Sequence, residues 1–237
     1  MTLFFEVNMS NKISTGSYDL NKWLFGGYDK DVVSVIYGGS GSGKTNFCLL
    51  AAVSQAKKGN KVVFVDTEGG FSCERVEQIA GERYKEVLDN ILLLKPTEFS
   101  EQKKIFDKLH DYLKGGVGLV VVDGMTILYR LDSALAKDKD EAEYKAVNAE
   151  LVRQIKMLAE ISRKQNIPVI MTAQVYNWEE EQKMVGGDIL KYWAKCWIEL
   201  KNERGVRKAF LRKHRSQPEK EIEFKIVGEG IKKAGWI

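Results

Sequence analysis

The chain has 237 residues, 44% of them apolar and 30% charged, and a formal net charge of +4; that allows one domain with a real hydrophobic core and excludes a disordered chain. Three cysteines without CxxC spacing and two histidines exclude a disulfide framework, a zinc knuckle and a histidine-built metal site. No apolar run approaches the roughly 18 residues of a membrane span, and the MTLFFEVNMSNK start is not a signal peptide, so a cytoplasmic protein is expected.

Residues 1–12 lack clear periodicity and read as an N-terminal extension, with Met1 or Met9 as the start, ahead of one core domain over 13–237. DVVSVIY (31–37) reads as a buried strand, followed by a glycine-rich turn and an apolar helix over about 44–58. KVVFVD (61–66), NILLL (90–94), VGLVVVD (117–123) and IPVIMTA (167–173) are further strands, with helices expected over 72–81, 98–114 and 143–165. Near-continuous Val/Ile runs mean strands buried on both faces, hence a parallel sheet covered by helices. After residue 195 the pattern changes to short consecutive strands over 195–201, 206–213, 220–227 and 231–236, expected as an antiparallel extension. The fold class is therefore α/β: a mostly parallel central sheet flanked by helices, with C-terminal antiparallel strands.

Gly38-Gly39-Ser40-Gly41-Ser42-Gly43-Lys44-Thr45 is G-x-x-x-x-G-K-[ST], placed after a strand and opening a helix. Glycines let the backbone curl so that successive N–H groups face phosphate oxygens, and the helix dipole favours an anion there. Lys44 would serve the β- and γ-phosphates, and the Thr45 hydroxyl would ligate Mg2+. Asp123 ends the apolar strand GLVVVD, where a carboxylate can hold Mg2+ through water. Asp66-Thr67-Glu68 ends another strand; hydrolysis needs a group that orients the attacking water, and Glu68 is the candidate, with a solvated loop carboxylate as the alternative.

Ser14-Thr15-Gly16, Leu20, Leu24 and Gly26-Gly27 form an entry motif; DTEGGFSCERV (66–76), TAQVYNW (172–178) and Gly186-Gly187 follow at fitting distances. In this order they resemble the RecA-type recombinase superfamily, in its archaeal and eukaryotic group and there the short archaeal paralogues, over about residues 12–231. The resemblance implies a RecA-like P-loop NTPase fold with ATP and Mg2+ as cofactors. It makes Glu68 the catalytic glutamate, Arg75 the arginine that packs on adenine, and Gln174 the glutamine that senses the γ-phosphate and signals to a DNA-binding loop. Lys213 and Arg215 correspond to a late-strand pair of cations that reaches a neighbouring subunit's γ-phosphate; alone, such a pair is equally a solvated strand face.

The chain also departs from that group. It shows no N-terminal helical DNA-binding module and no F-x-x-A-like hook at Phe4 and Phe5, which puts long filaments in doubt while leaving a homo-oligomer open. The first DNA loop is expected near 129–145, where Arg130, Lys137, Lys139 and Lys145 meet Asp132, Asp138, Asp140, Glu141 and Glu143. The second is expected near 175–185, where Lys183 stands against Glu179, Glu180 and Glu181, and where Trp178 and Tyr176 could stack bases or pack against the sheet or a partner. Basic residues gather instead at 201–215, as a DNA surface, as cross-subunit cations or as solvated strands. The expectation is a weak, DNA-dependent ATPase that binds single-stranded DNA and assists the main archaeal recombinase, RadA, in repair, with a Holliday-junction resolvase as a further partner and no membrane role. The alternatives are an ATP-gated adaptor with negligible hydrolysis and a signalling RecA-like ATPase.

Overall fold

A computed structural model describes residues 11–178, 181–184 and 186–235; the choice between Met1 and Met9 lies outside them. The chain opens with β1 (Lys12–Ile13), α1 (Tyr18–Trp23) and β2 (Tyr28–Asp29), then β3 (Val33–Gly38), α2 (Lys44–Ala56), β4 (Lys61–Asp66), α3 (Cys73–Ala80) and α4 (Tyr84–Asp89). There follow β5 (Ile91–Leu94), α5 (Phe99–Asp107), α6 (Leu109–Tyr112), β6 (Val117–Asp123), α7 (Ile127–Lys139) and α8 (Glu141–Gln165). The last elements are β7 (Val169–Trp178), β8 (Glu181–Met184), α9 (Gly187–Trp193), β9 (Cys196–Glu203), β10 (Val206–Lys213), β11 (Lys220–Val227) and β12 (Gly230–Lys233).

Among the described residues one ten-stranded sheet runs β12-β11-β10-β9-β3-β7-β6-β4-β5, with β8 paired to β7. From β9 across to β5 every pair is parallel, and β9 through β12 pair antiparallel. Strand alternation sends successive residues to opposite faces, so each central strand feeds two cores. Ile36, Phe64, Val121 and Ile170 pack toward α2 and the antiparallel strands. Val35, Val65, Val122 and Met171 pack toward α8 residues Leu151, Ile155 and Leu158.

The helices α1, α4 and α9 were not expected, the last strand is Gly230–Lys233 where 231–236 was expected, and three further stretches differ. Residues 98–114 form two helices, α5 and α6, broken at Lys108. β7 continues past 173 to Trp178 because β8 pairs with its end. The segment 129–145 is a helix pair instead of a loop: Leu128, Tyr129 and Ala136 give α7 a buried face, and the Asp140 side chain caps α8 by accepting from the Ala142 N–H.

Candidate nucleotide site

The parallel register places Gly38, Asp66, Asp123 and Gln174 at the same end of neighbouring strands. That edge is where open α/β sheets take ligands. Gly43, in the left-handed region at φ 110°, turns the loop into α2 and presents the Lys44 and Thr45 side chains. Lys44 is buried, and its Nζ donates to the carbonyl oxygens of Gly38 and Gly39 at 3.0 Å each. Burial lowers its pKa, while the charges of Glu68 and Asp123 work in the opposite direction.

Thr45 Oγ1 donates to Asp123 Oδ2 at 2.7 Å, and Thr172 Oγ1 donates to Asp123 Oδ1 at 2.6 Å. The Gly124 N–H in turn donates to Thr172 Oγ1 at 2.7 Å. Asp123 is fully buried; burial raises its pKa, the two threonine hydrogen bonds lower it, and nearby Glu68 and Asp66 raise it again. Three carboxylates grouped under a phosphate-type loop make an environment that a divalent cation would neutralise. Gly70 leaves this cluster open, since a Cβ there would lie 3.1 Å from Thr45 Oγ1 and 3.7 Å from Asp123 Oδ2. The Asp66 carboxylate fixes that loop by accepting from the Gly70 and Phe71 N–H groups at 3.1 and 3.0 Å. Ser42 Oγ is buried in the phosphate-type loop without a partner among the described residues. An open donor, a buried ammonium and a paired hydroxyl–carboxylate fit a triphosphate with Mg2+.

Glu68 is exposed at the mouth, and Gln174 Nε2 donates to its Oε2 at 3.1 Å. The two side chains offered separately by sequence are thus joined. Arg75 reaches the neighbourhood of α2, donating from Nε to Asn46 Oδ1 at 2.8 Å. Its Nη groups donate to Gln78 and to the carbonyls of Val227, Gly228 and Gly230 in the β11–β12 turn.

The remaining candidates lie elsewhere. Lys213 Nζ donates to the carbonyls of Lys191 and Ala194, and Arg215 forms a fork with Asp31 at 2.6 and 2.8 Å plus an ion pair with Asp29 at 3.3 Å. Both cations are engaged within the chain. Arg130, Lys137 and Lys139 are exposed on helix α7, with Lys139 3.4 Å from Glu143. Trp178 lies opposite Glu181, and Lys183 opposite Tyr176, in the β7–β8 backbone pairing. Glu179 and Glu180 lie outside the described residues.

Sequence reading named Asp66 and Thr172 only as parts of the DTEGGFSCERV and TAQVYNW segments, without a role, and missed Asn46. Thr172 had a signal: it is the polar residue of a Val/Ile strand two positions before Gln174. Asp66 and Asn46 act through loop N–H groups and a guanidinium whose positions only the fold reveals.

A Rad51 family model matches residues 8–234. The DNA repair and recombination protein RadB of Methanocaldococcus jannaschii is 38% identical over 213 residues, covering 90% of this chain and 98% of the relative. That of Methanobrevibacter smithii is 40% identical over 238 residues, covering 96% and 97%. The crystal structure of the RadB recombinase superposes with a TM-score of 0.77 at 34% identity, covering 92% of this chain and 98% of that one. Motif order, sheet topology and these likenesses agree, and the chain belongs to the Rad51 family.

Proposed function

We propose that the chain is a RadB-type DNA repair and recombination protein that binds ATP with Mg2+, binds single-stranded DNA, hydrolyses ATP slowly and assists the main recombinase, RadA. The observation that carries this reading is the Thr45–Asp123 hydrogen bond beneath the phosphate-type loop, with Lys44 beside it. Bound ATP·Mg2+ supplies the transferable phosphoryl group and a divalent charge. The chain's part is to hold the phosphates on loop N–H groups and Lys44, and to hold the cation on Thr45 and Asp123. Glu68 orients the attacking water. Gln174, bonded to Glu68 and continuous through β7 with the β7–β8 pair, links the nucleotide to that hairpin. Titration with a fluorescent ATP analogue and Mg2+ tests the site: Lys44→Ala is expected to lose at least about tenfold in affinity, and unchanged affinity would refute it.

A second reading, the ATP-gated adaptor with negligible hydrolysis, is favoured by one observation. Lys213 and Arg215, which would complete a neighbour's site, are held by their own chain. It predicts ATP binding with no measurable turnover, with or without a Holliday-junction resolvase or RadA present.

A further inference from the structure

Thr172 is fully buried in β7, directly after the apolar run Val169-Ile170-Met171. A buried hydroxyl costs free energy unless it is hydrogen-bonded, and a valine would fill much the same volume without that cost. Here the hydroxyl is fully used. Oγ1 donates its single proton to Asp123 Oδ1 at 2.6 Å and accepts the Gly124 N–H at 2.7 Å. With the Gly124 N–H on one side of the oxygen, the proton is left to the carboxylate. The Thr172 carbonyl accepts the Met125 N–H at 3.0 Å as well. One residue of β7 thus grips three successive residues at the end of β6.

The same turn is held from the β4 side. The Thr67 N–H donates to the Asp123 carbonyl at 3.0 Å, and Thr67 Oγ1 donates to the Gly124 carbonyl at 2.7 Å. Gly124 lies in the left-handed region at φ 91°, and a Cβ there would run into Thr67 Oγ1. These backbone contacts do not use the Thr172 side chain. What that side chain adds is control of the Asp123 carboxylate. Thr45 donates to Oδ2 at 2.7 Å and Thr172 to Oδ1, so a donor on each oxygen fixes the plane of the carboxylate.

We propose that Thr172 is a positioning residue for the divalent cation: its hydroxyl pins Asp123 so that Oδ2 and the Thr45 hydroxyl are presented together to Mg2+. Thr172 acts through Asp123 and touches neither cation nor nucleotide. The assignment rests on the ATP·Mg2+ reading above and divides its site in two. Lys44 and the loop N–H groups serve the phosphates, whereas the Thr172 hydroxyl serves the cation alone. Losing that hydroxyl therefore weakens Mg2+ without loosening the grip on phosphate.

The test is titration of the protein and a fluorescent ATP analogue with Mg2+, and analogue binding in EDTA, beside thermal melting of the nucleotide-free protein. Thr172→Val is expected to raise the Mg2+ concentration for half-maximal binding about tenfold, with binding in EDTA unshifted. Thr172→Ser keeps the hydroxyl and loses a buried methyl. It is expected to melt at a lower temperature while keeping the wild-type Mg2+ dependence. A merely structural role would not separate the two, because Mg2+ dependence would follow stability. If Thr172→Val does not fold, Thr172→Ala also lacks the hydroxyl and carries the same expectation. Wild-type Mg2+ dependence in the hydroxyl-free variant would overturn the assignment and leave the ATP·Mg2+ reading standing. So would equal weakening with and without Mg2+, or a Thr172→Ser protein that needs as much Mg2+ as Thr172→Val. A wild-type protein whose analogue binding ignores Mg2+ would overturn both.

Discussion

Asp123 carries a charge that the fold buries beside two other carboxylates. Its pKa is raised from the ordinary 3.8, by burial first and by Glu68 and Asp66 besides. A raised carboxyl binds more protons folded than unfolded, so its contribution to stability falls as pH rises from the ordinary carboxylate range through the folded value. At neutral pH the buried charge is therefore a cost, which in the proposed reading the bound Mg2+ offsets. Asp123→Asn is expected to raise the thermal midpoint of the nucleotide-free protein by a few degrees (about 1 kcal/mol) and to abolish Mg2+-dependent ATP binding. A lower midpoint in a melting experiment would count against this account. Asp29 behaves in the opposite way. Burial pushes its carboxyl up, but hydrogen bonds from His214 and Lys12, and the charges of Lys12 and Arg215, bring it from 3.8 to about 2. Its stabilisation is present above about pH 4 and is lost as pH falls through about 2, a difference of about 2 kcal/mol. Asp29→Asn should cost about that much at pH 7 in denaturant titrations, with the gap closing on acidification. A gap that does not change with pH would contradict the pairing.

At the scale of elements, Arg75 ties α3 to the C-terminal hairpin by donating to Val227, Gly228 and Gly230 carbonyls while Asn46 holds its Nε. Arg75→Ala is expected to cost about 1 kcal/mol and to speed amide exchange in the β11–β12 strands, with the parallel strands unaffected; unchanged exchange there would show that the turn does not need the arginine. The parallel strands were legible because Val/Ile runs such as VGLVVVD have one interpretation once bounded by glycines. The phosphate-type loop was legible because its chemistry is local to eight residues. Other elements were not. α1 has six residues, and its Ser17 cap is recognisable only when the Ser17 hydroxyl is seen accepting from the Leu20 N–H. α7 has Leu131 and Leu135 exposed on one side and Leu128 and Tyr129 buried on the other, so its sequence gives no clean apolar stripe. The expected loop there came from resemblance, and tertiary packing against α8 makes it a helix. In the site, Thr45, Asp123, Glu68 and Gln174 were readable as strand-end and loop residues, whereas the Glu68–Gln174 bond joins residues 106 apart and needs the parallel register to exist.

For the whole molecule, one sheet edge gathers the candidate nucleotide residues, while exposed lysines with no ion pair among the described residues are spread over α1, α5, α7 and the β11–β12 hairpin. The net charge of +4 is therefore less informative than its distribution. No helix among the described residues is long and apolar enough to cross a membrane. The family places the chain among Rad51-type proteins, and the proposed reading makes ATP the ligand that sets its state. What most directly tests this is ATP hydrolysis by the purified protein with and without single-stranded DNA, beside the Lys44→Ala variant. The account predicts slow turnover that DNA stimulates and that Lys44→Ala abolishes. A flat, near-zero rate with and without DNA, despite measurable ATP binding, would contradict the enzyme and leave the nucleotide-gated adaptor in its place.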